Sequence, residues 1–202
     1  MLIVVGGHSR SVGKTSVVAG LIAALPEFHW TAMKITQYGH GVCSANGKPC
    51  ECACDDSSWA ITEERDRSGE SDSSRFLVSG AVRSLWVRTR QGMLDDAMPR
   101  IRQELAAATN AILESNSIMG FVRPDLYITV LDAGKADFKR SAQKFLNLAD
   151  AVVLQENGKA TTWQDVSLQR VSAKPIFRIQ PPQYVTPELV EFVRAKLECA
   201  CS

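Results

Sequence analysis

The residues best suited to chemistry stand near the start of the chain, in the run Gly7-His8-Ser9-Arg10-Ser11-Val12-Gly13-Lys14-Thr15-Ser16. Gly13 lets the backbone turn so that successive N–H groups face one point, a concavity that suits a phosphate. A helix opening at Lys14 adds its dipole to the same field. The Lys14 ammonium can then reach the β- and γ-phosphates of a nucleotide, and the Thr15 hydroxyl is placed for Mg²⁺. The usual motif has four residues between its glycines. Here five separate Gly7 from Gly13, and His8 stands where the first glycine of the shorter form would fall. The bland reading is an ordinary glycine-rich turn. A buried strand before the loop, Val-Gly-Lys-Thr within it and a helix after it argue for the phosphate site instead.

Five further ionisable residues invite chemical roles. Lys34 ends a predicted strand, beside the crevice where α/β sheets bind ligands. It could neutralise a terminal phosphate or orient a substrate, or simply be solvated there. Glu114 also ends a buried run (Ala-Ile-Leu-Glu), where a carboxylate could hold Mg²⁺ or orient an attacking group. Asp72 offers a second carboxylate for the same Mg²⁺, against the alternative of a first-turn acid serving a helix dipole. Asp132 closes another strand, with a turn role beside Gly134 equally open. Within the loop itself, Arg10 either contacts phosphate or faces solvent. No Asn-Lys-x-Asp string follows a strand; Gln155, Glu156 and Asn157 stand in its place, so ATP and GTP are both retained.

The third concentration is of sulfur. Cys43, Cys50, Cys52 and Cys54 lie close together, with His40 just before them and a Gly-Lys-Pro turn between them. Such thiolates could close around Zn²⁺ or an iron–sulfur cluster. Disulfides and unpaired thiols compete with that reading, although neighbours such as Cys50 and Cys52 would bridge with strain. His40 is a ligand or a phosphate-facing group. Cys199 and Cys201 form a further Cys-x-Cys to which the sequence assigns no role.

These residues need a scaffold, and the apolar pattern supplies one. Short β-branched runs predict strands over Leu2–Val5, Trp30–Ile35, Ala81–Arg88, Ala111–Leu113, Leu126–Leu131, Ala151–Leu154 and Ile176–Ile179. Helices are predicted over Lys14–Leu25, Asp72–Ser79, Asp95–Ala108, Asp137–Leu148 and Pro187–Leu197, the last capped by Thr186. Alternation of this kind predicts a three-layer α/β fold, a mainly parallel sheet with helices on both faces. The pattern fails over about 37–70, which reads as a cysteine-rich insertion in an otherwise single domain of 202 residues. Trp30, Trp59, Trp86 and Trp163 show no stacking pattern and read as core. Lys+Arg 23 against Asp+Glu 22 argues against nucleic acid or an anionic membrane as partner. No apolar run is long enough to span a bilayer and no secretory leader is visible, so a cytoplasmic protein is expected. In a reducing cytosol six cysteines favour metal or redox chemistry over disulfides.

The long phosphate loop resembles that of dethiobiotin synthetase and related amidoligases. More of the chain is similar to molybdopterin-guanine dinucleotide biosynthesis protein B, a family of small P-loop NTPases. The match runs through Met-Lys-Ile-Thr at Lys34 and Thr36, the spacing of Asp72, Ser73, Arg75, Gly80 and Ala81, and Glu114 at a later strand end. Ser115 departs from the family's glycine, the cysteine-rich insertion belongs to neither family, and Ser9 stands where dimer-activated relatives carry an extra lysine. The resemblance implies a P-loop NTPase fold, Mg²⁺ with ATP or GTP, and a place in cofactor biosynthesis or assembly. It implies as catalytic residues Lys14, Lys34 and Glu114, with Thr15, Asp72 and Glu114 around Mg²⁺. A cofactor-biosynthesis enzyme and a second copy of the chain are the partners it leaves open. A small-metabolite kinase or ligase, and a metallochaperone or scaffold switched by nucleotide, are the alternatives.

Overall fold

In a computed structural model, which describes residues 1–39, 58–156, 163, 171 and 173–199, eight strands form one sheet. The first strand, β1 (Leu2–Gly7), runs into the loop that opens α1 (Lys14–Ala24). There follow β2 (Thr31–Tyr38), β3 (Trp59–Glu63), α2 (Asp72–Val78), β4 (Arg83–Arg90), α3 (Leu94–Ala107) and β5 (Ala111–Glu114). The remainder comprises β6 (Leu126–Asp132), α4 (Arg140–Phe145), β7 (Ala151–Gln155), β8 (Ile176–Ile179) and α5 (Pro187–Cys199). The strand order is β3-β4-β2-β5-β1-β6-β7-β8, and every pairing is parallel except β3 with β4.

Successive residues of a strand point to opposite faces, and β1 shows both faces covered. Ile3 and Val5 join Val17, Val18, Leu21 and Ile22 of α1 and Leu189 and Val193 of α5. Val4 faces the other way, into Leu94, Ala97, Met98 and Ile101 of α3. Two apolar layers sandwich the sheet, as the buried runs required. This is the three-layer α/β arrangement expected from the sequence.

Three differences have physical causes. The helix expected over Asp137–Leu148 is shorter: α4 starts at Arg140 and gives way to a 3₁₀ turn at Leu146–Leu148. Asp137 and Lys139, just before it, are held instead by Ser9 and the His8 carbonyl of the phosphate loop. The second strand extends past Ile35 to Tyr38 because it stays paired with β4 along its whole length. Finally, β3 lies inside the stretch expected to lack regular structure. It is an edge strand whose side chains are half-buried or exposed, so it carries no apolar run, and its backbone pairing with β4 defines it. Cys43, Cys50, Cys52, Cys54 and His40 lie outside the described residues, as does Cys201. The Thr186 cap is present, its hydroxyl accepting from the Leu189 N–H at 3.3 Å.

Candidate functional site

The loop between β1 and α1 is shaped from below and from both sides. Gly13 has φ of 87° and Ser11 of 52°, left-handed values that fold the loop back on itself. A Cβ on Gly13 would lie 2.4 Å from the Tyr184 ring, so glycine is demanded by space as well as by backbone. Asn116, just beyond β5, clamps the loop's root: it accepts from the Gly7 N–H at 2.8 Å and donates to the Gly7 carbonyl at 2.7 Å. A segment after β6 straps the other side. Lys139 N–H donates to the His8 carbonyl at 2.8 Å, Ser9 Oγ to Asp137 at 2.7 Å, and Lys135 Nζ to the carbonyls of Arg10 and Ser11 at 3.0 and 2.8 Å.

His8 is fully buried under this strap, between Phe138 and Trp163 at ring distances of 5.1 Å each. Burial pushes its pKa down, against the Lys135 and Val130 main-chain groups, so the ring is held neutral. Trp163 thus packs on the phosphate loop, whereas Trp30 is pure core, its indole N–H on the Leu25 carbonyl at 2.8 Å. Asp132 has the turn role, accepting from the Gly134 N–H at 2.9 Å.

Register assembles the charged centre. Strand β5 lies between β1 and β2, which sets Glu114 level with Val5 on one side and Lys34 on the other. Glu114 is 2% exposed and accepts from Thr15 Oγ1 at 2.7 Å and from Lys34 Nζ at 2.5 Å. Lys34 also pairs with Asp72 at 2.8 Å. Asp72 reaches this point from the first turn of α2, whose start is fixed by Ser71 accepting from the Ser74 N–H. Burial alone would lower the Lys34 pKa, but Glu114 and Asp72 more than offset it and the pKa ends above its ordinary value. For Asp72, burial works upward and the Lys34 charge with its hydrogen bond prevails, leaving its pKa lowered.

Lys14 is the exception to this pairing. Its ammonium donates to the Ser9 carbonyl at 2.7 Å and makes no ion pair among the described residues. Burial brings its pKa down to about 8, with Glu114 opposing and Lys34 and Lys139 adding to the fall. One hydroxyl and two carboxylates, Thr15, Asp72 and Glu114, therefore meet beside a cationic loop. That hard-oxygen set suits Mg²⁺, whose remaining positions phosphate oxygens and water would fill. No group of three or more His, Cys, Asp and Glu side chains able to hold a metal by themselves occurs among the described residues.

A cleft of about 400 Å³ opens beside the loop, lined by Ser16, Gly20, Arg75, Pro182, Tyr184 and Val185. Arg75 donates to Ser16 Oγ at 3.0 Å, so α2 contributes to both the charged centre and the cleft. The structure thus brings together Lys14, Thr15, Lys34, Asp72 and Glu114, all singled out from sequence, and leaves Arg10 exposed at the loop's tip. Asn116, Tyr184 and Lys139 were missed. Only Asn116 carried a signal, standing two residues past the strand end that bears Glu114.

Fold and loop together define a P-loop NTPase architecture. No family model and no curated protein matches the sequence. Among solved structures, LpxK from Aquifex aeolicus, an "apo" form in complex with ATP, is 19% identical at a TM-score of 0.50, covering 88% of this chain and 53% of its own. HypB from Helicobacter pylori, solved in complex with nickel, is 15% identical at a TM-score of 0.48, covering 98% of this chain and 87% of its own. MobB from Bacillus subtilis is 14% identical at a TM-score of 0.42, covering 96% of each chain. At 19% identity the likeness to LpxK extends to the fold alone. No helix among the described residues is long and apolar enough to cross a membrane.

Proposed function

We propose that the protein binds Mg²⁺ with ATP or GTP at Gly7–Ser16 and hydrolyses or transfers the terminal phosphoryl group, in the service of cofactor biosynthesis or assembly. The observation that carries this reading is the convergence of Thr15 and Lys34 on buried Glu114, with Asp72 on the same Lys34, beside Lys14. Bound Mg²⁺ would supply charge neutralisation of the phosphates, held by Thr15 with Asp72 and Glu114. The backbone N–H groups of the loop cradle the β-phosphate. Lys14 gives up the Ser9 carbonyl to reach the β- and γ-phosphates, exchanging a neutral acceptor for a charged one. Lys34 holds the Glu114 carboxylate in place by its ion pair and presents its own charge toward the terminal phosphate. Glu114, with a second lone pair free, orients the attacking water. The cleft between Ser16 and Tyr184 follows directly on the phosphate loop and suits the nucleoside. The cysteine run at Cys43–Cys54 is proposed as a Zn²⁺ or iron–sulfur site rooted at the same edge of the sheet.

The test is calorimetry of Mg·nucleotide binding. Lys14→Ala removes a charge-assisted contact and should weaken binding tenfold or more, about 1.5–3 kcal/mol. Equal affinities for the two proteins would remove the nucleotide from the loop.

A further inference from the structure

Arg75 is the only charged side chain among the described residues that line the cleft of about 400 Å³ beside α1. It is half-buried, and its Nη2 donates to Ser16 Oγ at 3.0 Å. It forms no ion pair among the described residues. An acid that feels its charge, Asp72, lies one turn back on α2 and is bound to Lys34 at 2.8 Å. A guanidinium has five N–H donors. Ser16 takes one of them and leaves the rest of the fork for a ligand. Another wall of the cleft is the segment between β8 and α5, which two glycines of α1 let come close. A Cβ on Gly13 would lie 2.4 Å from the Tyr184 ring, and one on Gly20 would lie 2.5 Å from Val185. Ser16 is the third residue of α1, whose first N–H bond is that of Val17 to the Gly13 carbonyl at 2.9 Å. The N–H groups before Val17 are those a helix end offers to an anion. A phosphate chain with its β-phosphate in the loop must pass them to bring a nucleoside into the cleft. Arg75 sits on Ser16 at that crossing.

We propose that Arg75 binds the α-phosphate of the nucleotide, where the phosphate chain enters the cleft. The inference rests on the nucleotide reading given above and deepens it. It assigns a cation to the α-phosphate, beside those that Lys14 and Lys34 bring to the β- and γ-phosphates. The planar fork of an arginine can give two parallel N–H bonds to the non-bridging oxygens of one phosphate. Adenine and guanine nucleotides carry the same α-phosphate, so the contact adds affinity without reading the base. Triphosphate and diphosphate also share it. Its benefit is therefore equal for substrate and product, and it raises affinity without changing the chemical step.

The experiment titrates non-hydrolysable ATP and GTP analogues, and ADP and GDP, each with Mg²⁺, into wild-type, Arg75→Gln and Arg75→Lys protein. Glutamine keeps a donor for Ser16 Oγ and removes the charge. Arg75→Gln is expected to weaken all four ligands by one common factor, about tenfold or more. Arg75→Lys should cost less, because an ammonium keeps the charge and loses only the fork. Phosphorus NMR of the bound triphosphate reads the contact itself. Both Arg75 variants should move the α-resonance and leave the β- and γ-resonances in place, whereas Lys14→Ala should move the latter two. Equal affinities of wild type and Arg75→Gln overturn the proposal. So does a loss confined to the guanine or to the adenine nucleotides, because Arg75 would then lie on the base. A weakened affinity with an unmoved α-resonance overturns it as well, since Arg75 would act only by holding α2 on α1. Failure of wild-type protein to bind any of the four ligands is a distinct result, which removes the nucleotide reading and this inference with it.

Discussion

Raising the pH should selectively weaken nucleotide binding, and the magnitude follows from Lys14. Burial brings this lysine from 10.5 to about 8, with Glu114 and Asp72 opposing and Lys34 and Lys139 assisting the fall. Only the ammonium form recognises phosphate, and a bound triphosphate returns the proton by supplying the missing negative charge. Affinity then follows the protonated fraction of the free protein. That fraction is about nine-tenths at pH 7 and about one-tenth at pH 9, a tenfold loss or about 1.4 kcal/mol. An ordinary lysine would lose less than about 5% over the same range. The assay is calorimetry with Mg·nucleotide from pH 7 upward, where the phosphates are already ionised. Lys14→Arg provides the control, because a guanidinium keeps its charge throughout. A flat wild-type profile from pH 7 to 9, or the same fall in Lys14→Arg, would refute the argument. Stability has the opposite slope. Between about 8 and 10.5 the unfolded chain holds the Lys14 proton and the folded one does not, so this residue makes the nucleotide-free protein more stable as pH rises.

Two further outcomes follow from the same site and its surroundings. Glu114→Gln should lower turnover by tenfold or more while changing nucleotide affinity much less, since its benefit arises in the transition state; Asp72→Asn should do so more weakly, and unchanged turnover in both would remove them from the mechanism. Protein purified without air should contain stoichiometric Zn or Fe bound by Cys43–Cys54, and loading that metal should change nucleotide affinity at least about fivefold, within the usual 1–3 kcal/mol of coupling; elemental analysis without metal, or equal affinities of loaded and stripped protein, would contradict these expectations.

What could be read from sequence depended on how local each signal was. The phosphate loop was legible because strand, loop and helix are contiguous, and β1, β5 and β6 because burial on both faces leaves an unbroken apolar run. Lys34 and Glu114 were legible as strand ends, although their contact is not local: they are 80 residues apart and meet through the register of β2 with β5. Asn116 was missed for the same reason, since its bonds to Gly7 span 109 positions and its place two residues past Glu114 was the one hint to it. Lys139 was hidden by a wrong helix boundary. The spacing of Phe138, Ala142, Phe145 and Leu146 reads as helical, but Phe138 packs on His8 and the backbone at Lys139 is extended to meet the loop. Tertiary contact with the phosphate site overrode local periodicity there. Edge strand β3 shows the converse case, structure that backbone pairing makes and side chains do not announce.

The position of the cysteine-rich insertion gains meaning from the strand that carries Lys34. β2 is paired with β4 at every residue from Thr31–Arg83 to Tyr38–Arg90, so it behaves as a single stiff element. Lys34 lies on that element at the Glu114 centre, and Tyr38 lies roughly 13 Å further along at the usual rise per residue. Between them the Trp86 indole donates to Thr36 at 3.1 Å, and at the far end the Gln91 N–H donates to the Tyr38 carbonyl at 2.8 Å. β2 ends at Tyr38, and on the other side of the cysteine run the Ser58 carbonyl, just before β3, accepts from Arg90 N–H at 2.9 Å. The described residues on either side of the cysteine run are therefore tied to the β2–β4 pair that positions Lys34. Charge arriving at Lys34 and metal arriving at the insertion would act on one continuous support, which gives the expected coupling a physical carrier and makes it reciprocal.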